Sequence, residues 1–171
     1  MNKGRLEAFS DGVIAILITI MVLELKVPHG EDWAAFEPML PTLASYLLSF
    51  VLVAIYWNNH HHMLQMTERI NGKILWANNH LLFWLSLIPI GTAWHGEHLA
   101  ATLPTAMYGL VLFMSGIAYV ILQNAIIRDQ GEGSPLAAAV GRDVKGLASA
   151  VLYASAIAAA LVRPWISDVL F

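Results

Sequence analysis

Cysteine is absent from the 171 residues. Its absence excludes disulfide frameworks, thiolate metal sites, iron–sulfur clusters and cysteine nucleophiles, and leaves the redox compartment unread. Charge is nearly as scarce. Only 12% of residues are Asp, Glu, Lys or Arg, and 9 basic against 12 acidic residues give a net charge of −3. With no basic stripe and a pI near 6.1, the chain lacks the electrostatic footprint of a nucleic-acid binder. Gly-rich phosphate loops, a G-x-S-x-G elbow and an H-E-x-x-H pair are also missing, so no residue is assigned a catalytic role and none a metal.

What is abundant is apolar. Hydrophobic residues make up 58% of the chain and the mean hydropathy is +0.63. A soluble domain of this size has too little interior to hide that much apolar surface, so the lipid bilayer is the expected solvent. Crossing about 30 Å of hydrocarbon takes roughly 20 helical residues. Residues 38–67, 74–96, 98–127 and 146–162 carry no formal charge. A further stretch, 12–23, becomes long enough to span with its flanking turns. These runs lack apolar/polar alternation and are too long for strands, which excludes a barrel.

The fold class expected is therefore an all-α integral membrane helical bundle in a single domain. Its helices run over about 4–27, 38–66, 72–95, 102–127 and 142–162. Pro28-His29-Gly30, Pro38 and Pro41, Asn71-Gly72, Pro104 and the Gly131–Pro135 segment punctuate them. The start of a possible sixth helix falls at 164–171. The N-terminal apolar run is followed by Glu24-Leu25-Lys26 and no small-residue cleavage site, so it is read as a retained helix. With a cytoplasmic N-terminus, the inner segments hold Lys3, Arg5, Arg69, Lys73, Arg128, Arg142 and Lys145, against Lys26 and Arg163 outside. That bias follows the positive-inside rule.

The first helix carries the unusual residues. Asp11 and Glu24 are the acids closest to hydrocarbon, where an ionisable group is costly and by default a functional candidate. At about 100° per residue, Ile16 and Leu23 fall within about 20° of one another, with Thr19 and Ile20 to either side. One face therefore shows an apolar line with a lone hydroxyl. Polar candidates to partner Ser10 and Asp11 from other helices are Asn58, Asn59, His60, Asn78, Asn79 and His80. Trp33, Trp94 and Trp165 suit an interfacial belt, whereas Trp57, Trp76 and Trp84 fall within spans and suit packing between helices. Small residues around Ala148–Ala150, Ala154–Ala156 and Ala158–Ala160 permit close helix approach, within or between subunits.

Arg5-Leu6-Glu7-Ala8-Phe9-Ser10-Asp11 resembles the R-x-x-x-F-S-D signature that opens the first helix in the lysosomal potassium channel family, the transmembrane protein 175 type. Tyr56–His62, Trp76–Asn79 and Leu85–Pro89 resemble that family's later segments, in the same order. The resemblance implies a short bacterial member, multi-pass in the inner membrane. It implies a potassium-preferring cation channel built as a homotetramer, with four copies of the first helix lining the pore. It places constricting rings at Ile16, Thr19 and Leu23, and gives Arg5, Phe9, Ser10 and Asp11 the task of anchoring the pore helix. K⁺ is the permeant ion and no cofactor is implied. The absence of a T-V-G-Y-G run agrees with a pore that has no carbonyl filter.

Two rival readings belong to other classes. A proton-coupled carrier would titrate Asp11 or Glu24. A membrane enzyme would hold a metal on histidine, but His60, His61 and His62 project about 100° apart in succession and do not converge.

Overall fold

Four of the helices begin where a short polar side chain takes up a free backbone amide. In the computed structural model, which describes residues 2–99, 101–141, 151–152 and 154–159, Asn2 caps α1 (Lys3–Leu23) through Gly4 N. Asp32 caps the short α2 (Trp33–Phe36) through Ala35 N. A 3₁₀ turn, Glu37–Met39, with its proline in the first turn, leads into α3 (Leu40–Gln65). Asn71 caps α4 (Gly72–Ser86), which is followed by α5 (Ile88–Glu97) and α6 (Thr102–Gln130). Gly131, at φ +91°, ends α6 in a conformation that suits glycine, and Ser134 caps α7 (Pro135–Val140).

Two boundaries differ from the spans read in the sequence. α1 closes at Leu23 rather than near 27; Pro28 disfavours a helical Val27, and Lys26 turns aside to Glu97. The stretch 72–95 is two helices with a break at Leu87, because Pro89 has no N–H to give Leu85 and its ring crowds that carbonyl. Most of the 142–162 span, Trp165 and the 164–171 segment lie outside the described residues; 151–152 and 154–159 are helical.

Among the described residues there is no strand. Lys3–Leu23, Trp33–Gln65, Gly72–Glu97 and Thr102–Gln130 are each long and apolar enough to cross a membrane. α4 lies along α6 and α3 along α5, while α1 packs on α3, α4 and α5. The shared core includes Ile14 and Met21 of α1, Val53 and Leu64 of α3, Leu81 and Leu85 of α4, and Leu112 and Leu122 of α6. Ile90 at 69% and Trp76 at 74% exposure, with Leu47, Val51 and Phe83, leave the perimeter apolar. In water that perimeter would drive aggregation, and in lipid it is the natural outer surface.

Hydrocarbon gives helices little hydrophobic reason to associate, so close approach and hydrogen bonds carry the packing. Gly96 marks a close approach of α5 to α3: a Cβ there would stand 2.9 Å from Thr42 Cα.

Candidate functional site

α1 has two unlike faces. Leu6, Ser10, Ile14, Leu17 and Met21 recur at helical spacing and are buried against the rest of the chain. Ile16, Thr19, Ile20 and Leu23 point the other way; Ile16 is 58% exposed and Leu23 80%. The Thr19 hydroxyl donates to Ile16 O at 2.8 Å, a bond back to its own helix that keeps its lone pairs turned outward.

The Lys3 end of α1 is fixed by polar contacts at depth. Ser10, fully buried, donates to Leu6 O at 2.9 Å and accepts from Asn78 Nδ2 at 3.0 Å. Asn78 Oδ1 in turn accepts from His60 Nε2 at 2.7 Å, which requires the Nε2–H tautomer. This chain joins α1, α4 and α3 through side chains that water does not reach. Beside it, Trp57 Nε1 donates to Asp11 Oδ1 at 3.0 Å, and the Trp57 ring stacks on His61 with centroids 5.7 Å apart. Gln65 Nε2 donates to His61 Nε2 at 2.8 Å, leaving His61 Nδ1 turned to Glu7 Oε1 at 3.6 Å.

Of the polar candidates read in the sequence, Asn78 bonds to Ser10 and His60 bonds to Asn78, and the partner of Asp11 is Trp57. Asn58 donates to Ala54 O on its own helix and is exposed, as is Asn59. Asn79 is half-buried. His80 Nε2 accepts from Trp84 Nε1, one turn along the same helix, at 3.0 Å. Arg5 and Phe9 are exposed. Sequence reasoning missed Trp57 as the partner of Asp11, having placed it in packing between helices. Its spacing of three and four residues from His60 and His61 was the available signal, since it puts the three on one side of α3. Trp76, expected between helices, faces outward.

A second buried polar cluster lies away from α1. Thr92 Oγ1 donates to Ile88 O at 2.8 Å and shares a 2.6 Å bond with Ser49 Oγ, which in turn shares a 2.8 Å bond with Tyr108 OH. Ser45 donates to Thr92 O at 3.0 Å. The His95 ring stacks on Tyr108 with centroids 5.2 Å apart, its Nδ1 facing Thr105 Oγ1 at 3.3 Å. These bonds join α3, α5 and α6, and none of their residues was singled out in the sequence. Beyond them, at the Leu23 end of α1, Lys26 Nζ pairs with Glu97, whose carboxylate raises the lysine pKa above its usual value.

Among the described residues no group of three or more His, Asp or Glu stands where it could hold a metal ion. The site has no nucleophile with an adjacent base. It offers instead an exposed apolar helix face backed by a buried stripe.

The model of the family described as the endosomal/lysosomal potassium channel TMEM175 matches residues 5–89, which include the Arg5–Asp11 motif, Trp57, His60 and Asn78. A protein named as a potassium channel from Chryseobacterium sp. (strain P1-3) is 56% identical over 98% of this chain and 87% of its own length. The chain belongs to the TMEM175 family. It superimposes with a TM-score of 0.86 on the crystal structure of a lysosomal potassium-selective channel TMEM175 homolog from Chamaesiphon minutus, at 28% identity, covering 98% of this chain and 91% of that one. A zebrafish relative, named as the endosomal/lysosomal proton channel TMEM175, is 29% identical over 78% of this chain and 26% of its own length. TMEM175 membership makes the chain a multi-pass membrane protein of a channel family rather than an enzyme. It leaves the carrier and histidine–metal readings without support.

Proposed function

We propose that this TMEM175 protein is a potassium-preferring cation channel of the bacterial inner membrane. Four copies assemble around a pore lined by α1, with rings at Ile16, Thr19 and Leu23. The observation that carries this reading is the division of α1: one stripe is buried against the body, and the opposite stripe is apolar, exposed and marked by a single hydroxyl. The names of the bacterial relatives and of the matched structure supply the ion. Arg5, Phe9, Ser10 and Asp11 anchor the helix, Ser10 and Asp11 through Asn78 and Trp57. Charge bias sets the N-terminus in the cytoplasm, and the chain is a single transmembrane domain.

A ring of four Ile16 side chains acts as a hydrophobic constriction: it dewets when narrow and passes partly dehydrated cations when wider. Aliphatic rings offer no coordinating oxygen, so the preference for K⁺ over Na⁺ is modest and rests on the Thr19 layer. The test is K⁺ and Na⁺ flux through the purified chain in liposomes, beside Ile16→Asn. Flux that prefers K⁺ and rises in the variant supports the pore. No flux from folded, tetrameric protein of either kind would overturn it.

A further inference from the structure

Past Leu23 the chain leaves the helix, and Lys26 reaches across to Glu97 in the last turn of α5. The ammonium there meets both a carboxylate and the negative end of the α5 dipole. Behind the linker lies an open depression of about 550 Å³, bordered by Glu24, His29, Pro38, Thr42 and Gly96. Close packing therefore does not seat the linker on that side. The last turn of α1 is divided like the rest: Met21 is buried, and Leu23, about 200° around the helix, is 80% exposed. Glu97 stands on α5, one of the helices on which α1 packs, whereas Leu23 is turned away from the body of the chain.

We propose that Lys26 and Glu97 form a clasp that positions the Leu23 end of α1, drawing it toward α5 and so holding the Leu23 ring open. This rests on the reading that α1 lines the pore. The buried Ser10–Asn78 bond, with the exposed Trp57–Asp11 bond beside it, holds the Lys3 end of the helix, while at the other end a solvent-exposed pair bridges to α5. Release of that pair lets the helix lean about its fixed end and narrows the mouth. Exposed pairs bias a two-state balance only about two- to fivefold, so the clasp trims the conductance rather than switching it.

The experiment compares K⁺ flux in liposomes for the full chain, Lys26→Gln, Glu97→Gln and the exchange Lys26→Glu/Glu97→Lys. Both single variants are expected to lower flux about two- to fivefold, and the exchange to recover it. A mere surface-charge effect would move the two single variants in opposite directions, since one adds net negative charge at the mouth and the other removes it. That result, or unchanged flux in both, would overturn the clasp. Because the chain has no cysteine, Lys26→Cys/Glu97→Cys joined by a reducible bis-thiol crosslinker about as long as the two lost side chains supplies a reversible lock that does not depend on charge. Crosslinked protein should conduct as the parent does and lose flux on reduction; a crosslinked protein that gains flux on reduction contradicts the proposal. Ile16→Asn in the same preparation separates the two levels. If it too leaves flux unchanged, the pore reading fails and the clasp with it.

Discussion

The two ends of α1 are held in opposite ways. At the Lys3 end, Ser10, Asn78 and His60 form a buried chain of hydrogen bonds, flanked by Trp57 on Asp11. At the Leu23 end, an ion pair with side chains 83% and 47% exposed bridges the following linker to α5. The scaffold of α3, α5 and α6 does not share this asymmetry, because the Ser49–Thr92–Tyr108 cluster ties those helices together in the region of α5. Polar bonds remote from water are costly to break, and exposed pairs compete with solvent at every moment. In the proposed clasp, the helix is held by buried bonds at one end and by an exposed pair at the other, on helices tied to one another around α5.

Substitutions test that contrast by their size. Asn78→Leu should have the largest effect: it leaves Ser10 and His60 buried without their shared partner and should cost about 2 kcal/mol or more. Thermal unfolding in detergent, followed by circular dichroism, measures it. Gly96→Ala attacks the frame instead, setting a methyl 2.9 Å from the Thr42 backbone; about 1–2 kcal/mol of overpacking is expected in the same assay. Thr92→Val removes the hydroxyl that joins Ser49 to Ile88 O, at about 1 kcal/mol. Asp11→Asn keeps an oxygen for Trp57 Nε1 and loses only the charge assistance, so about 0.5 kcal/mol is expected. Unchanged assembly and conduction in Asp11→Asn would remove Asp11 from the anchor and leave that role to Arg5, Phe9 and Ser10. Lys26→Gln should leave the unfolding midpoint where it is while lowering flux, the sharpest statement of the difference between the ends.

The spans were legible because hydrocarbon forbids charge: runs such as 98–127 stand out on composition alone. The breaks at Asn71-Gly72 and Gly131–Pro135 were legible because turn residues are local chemistry, and the structure adds that Asn71 caps α4 and Gly131 ends α6. The face of α1 was half legible. Helical arithmetic aligned Ile16, Thr19 and Leu23, but only the buried stripe from Leu6 to Met21 says which way that face turns. Side-chain partners across helices were the least readable. Trp57 meets Asp11 from 46 residues away and Tyr108 meets Ser49 from 59. Such pairs depend on the rotation of one helix against another, which periodicity does not fix. The break at Leu87 had a local signal in Pro89, masked by the unbroken apolar run on either side of it.

The central claim is that the Ile16 face of α1 borders the ion path and the Ile14 face does not. The cysteine-free chain allows a direct test: Ile16→Cys and Ile14→Cys, each in liposomes, treated with a small water-soluble thiol reagent while K⁺ flux is recorded. Block of flux at position 16, with none at the buried position 14, is the result expected. Block at 14 without block at 16 would contradict the account and turn the helix around.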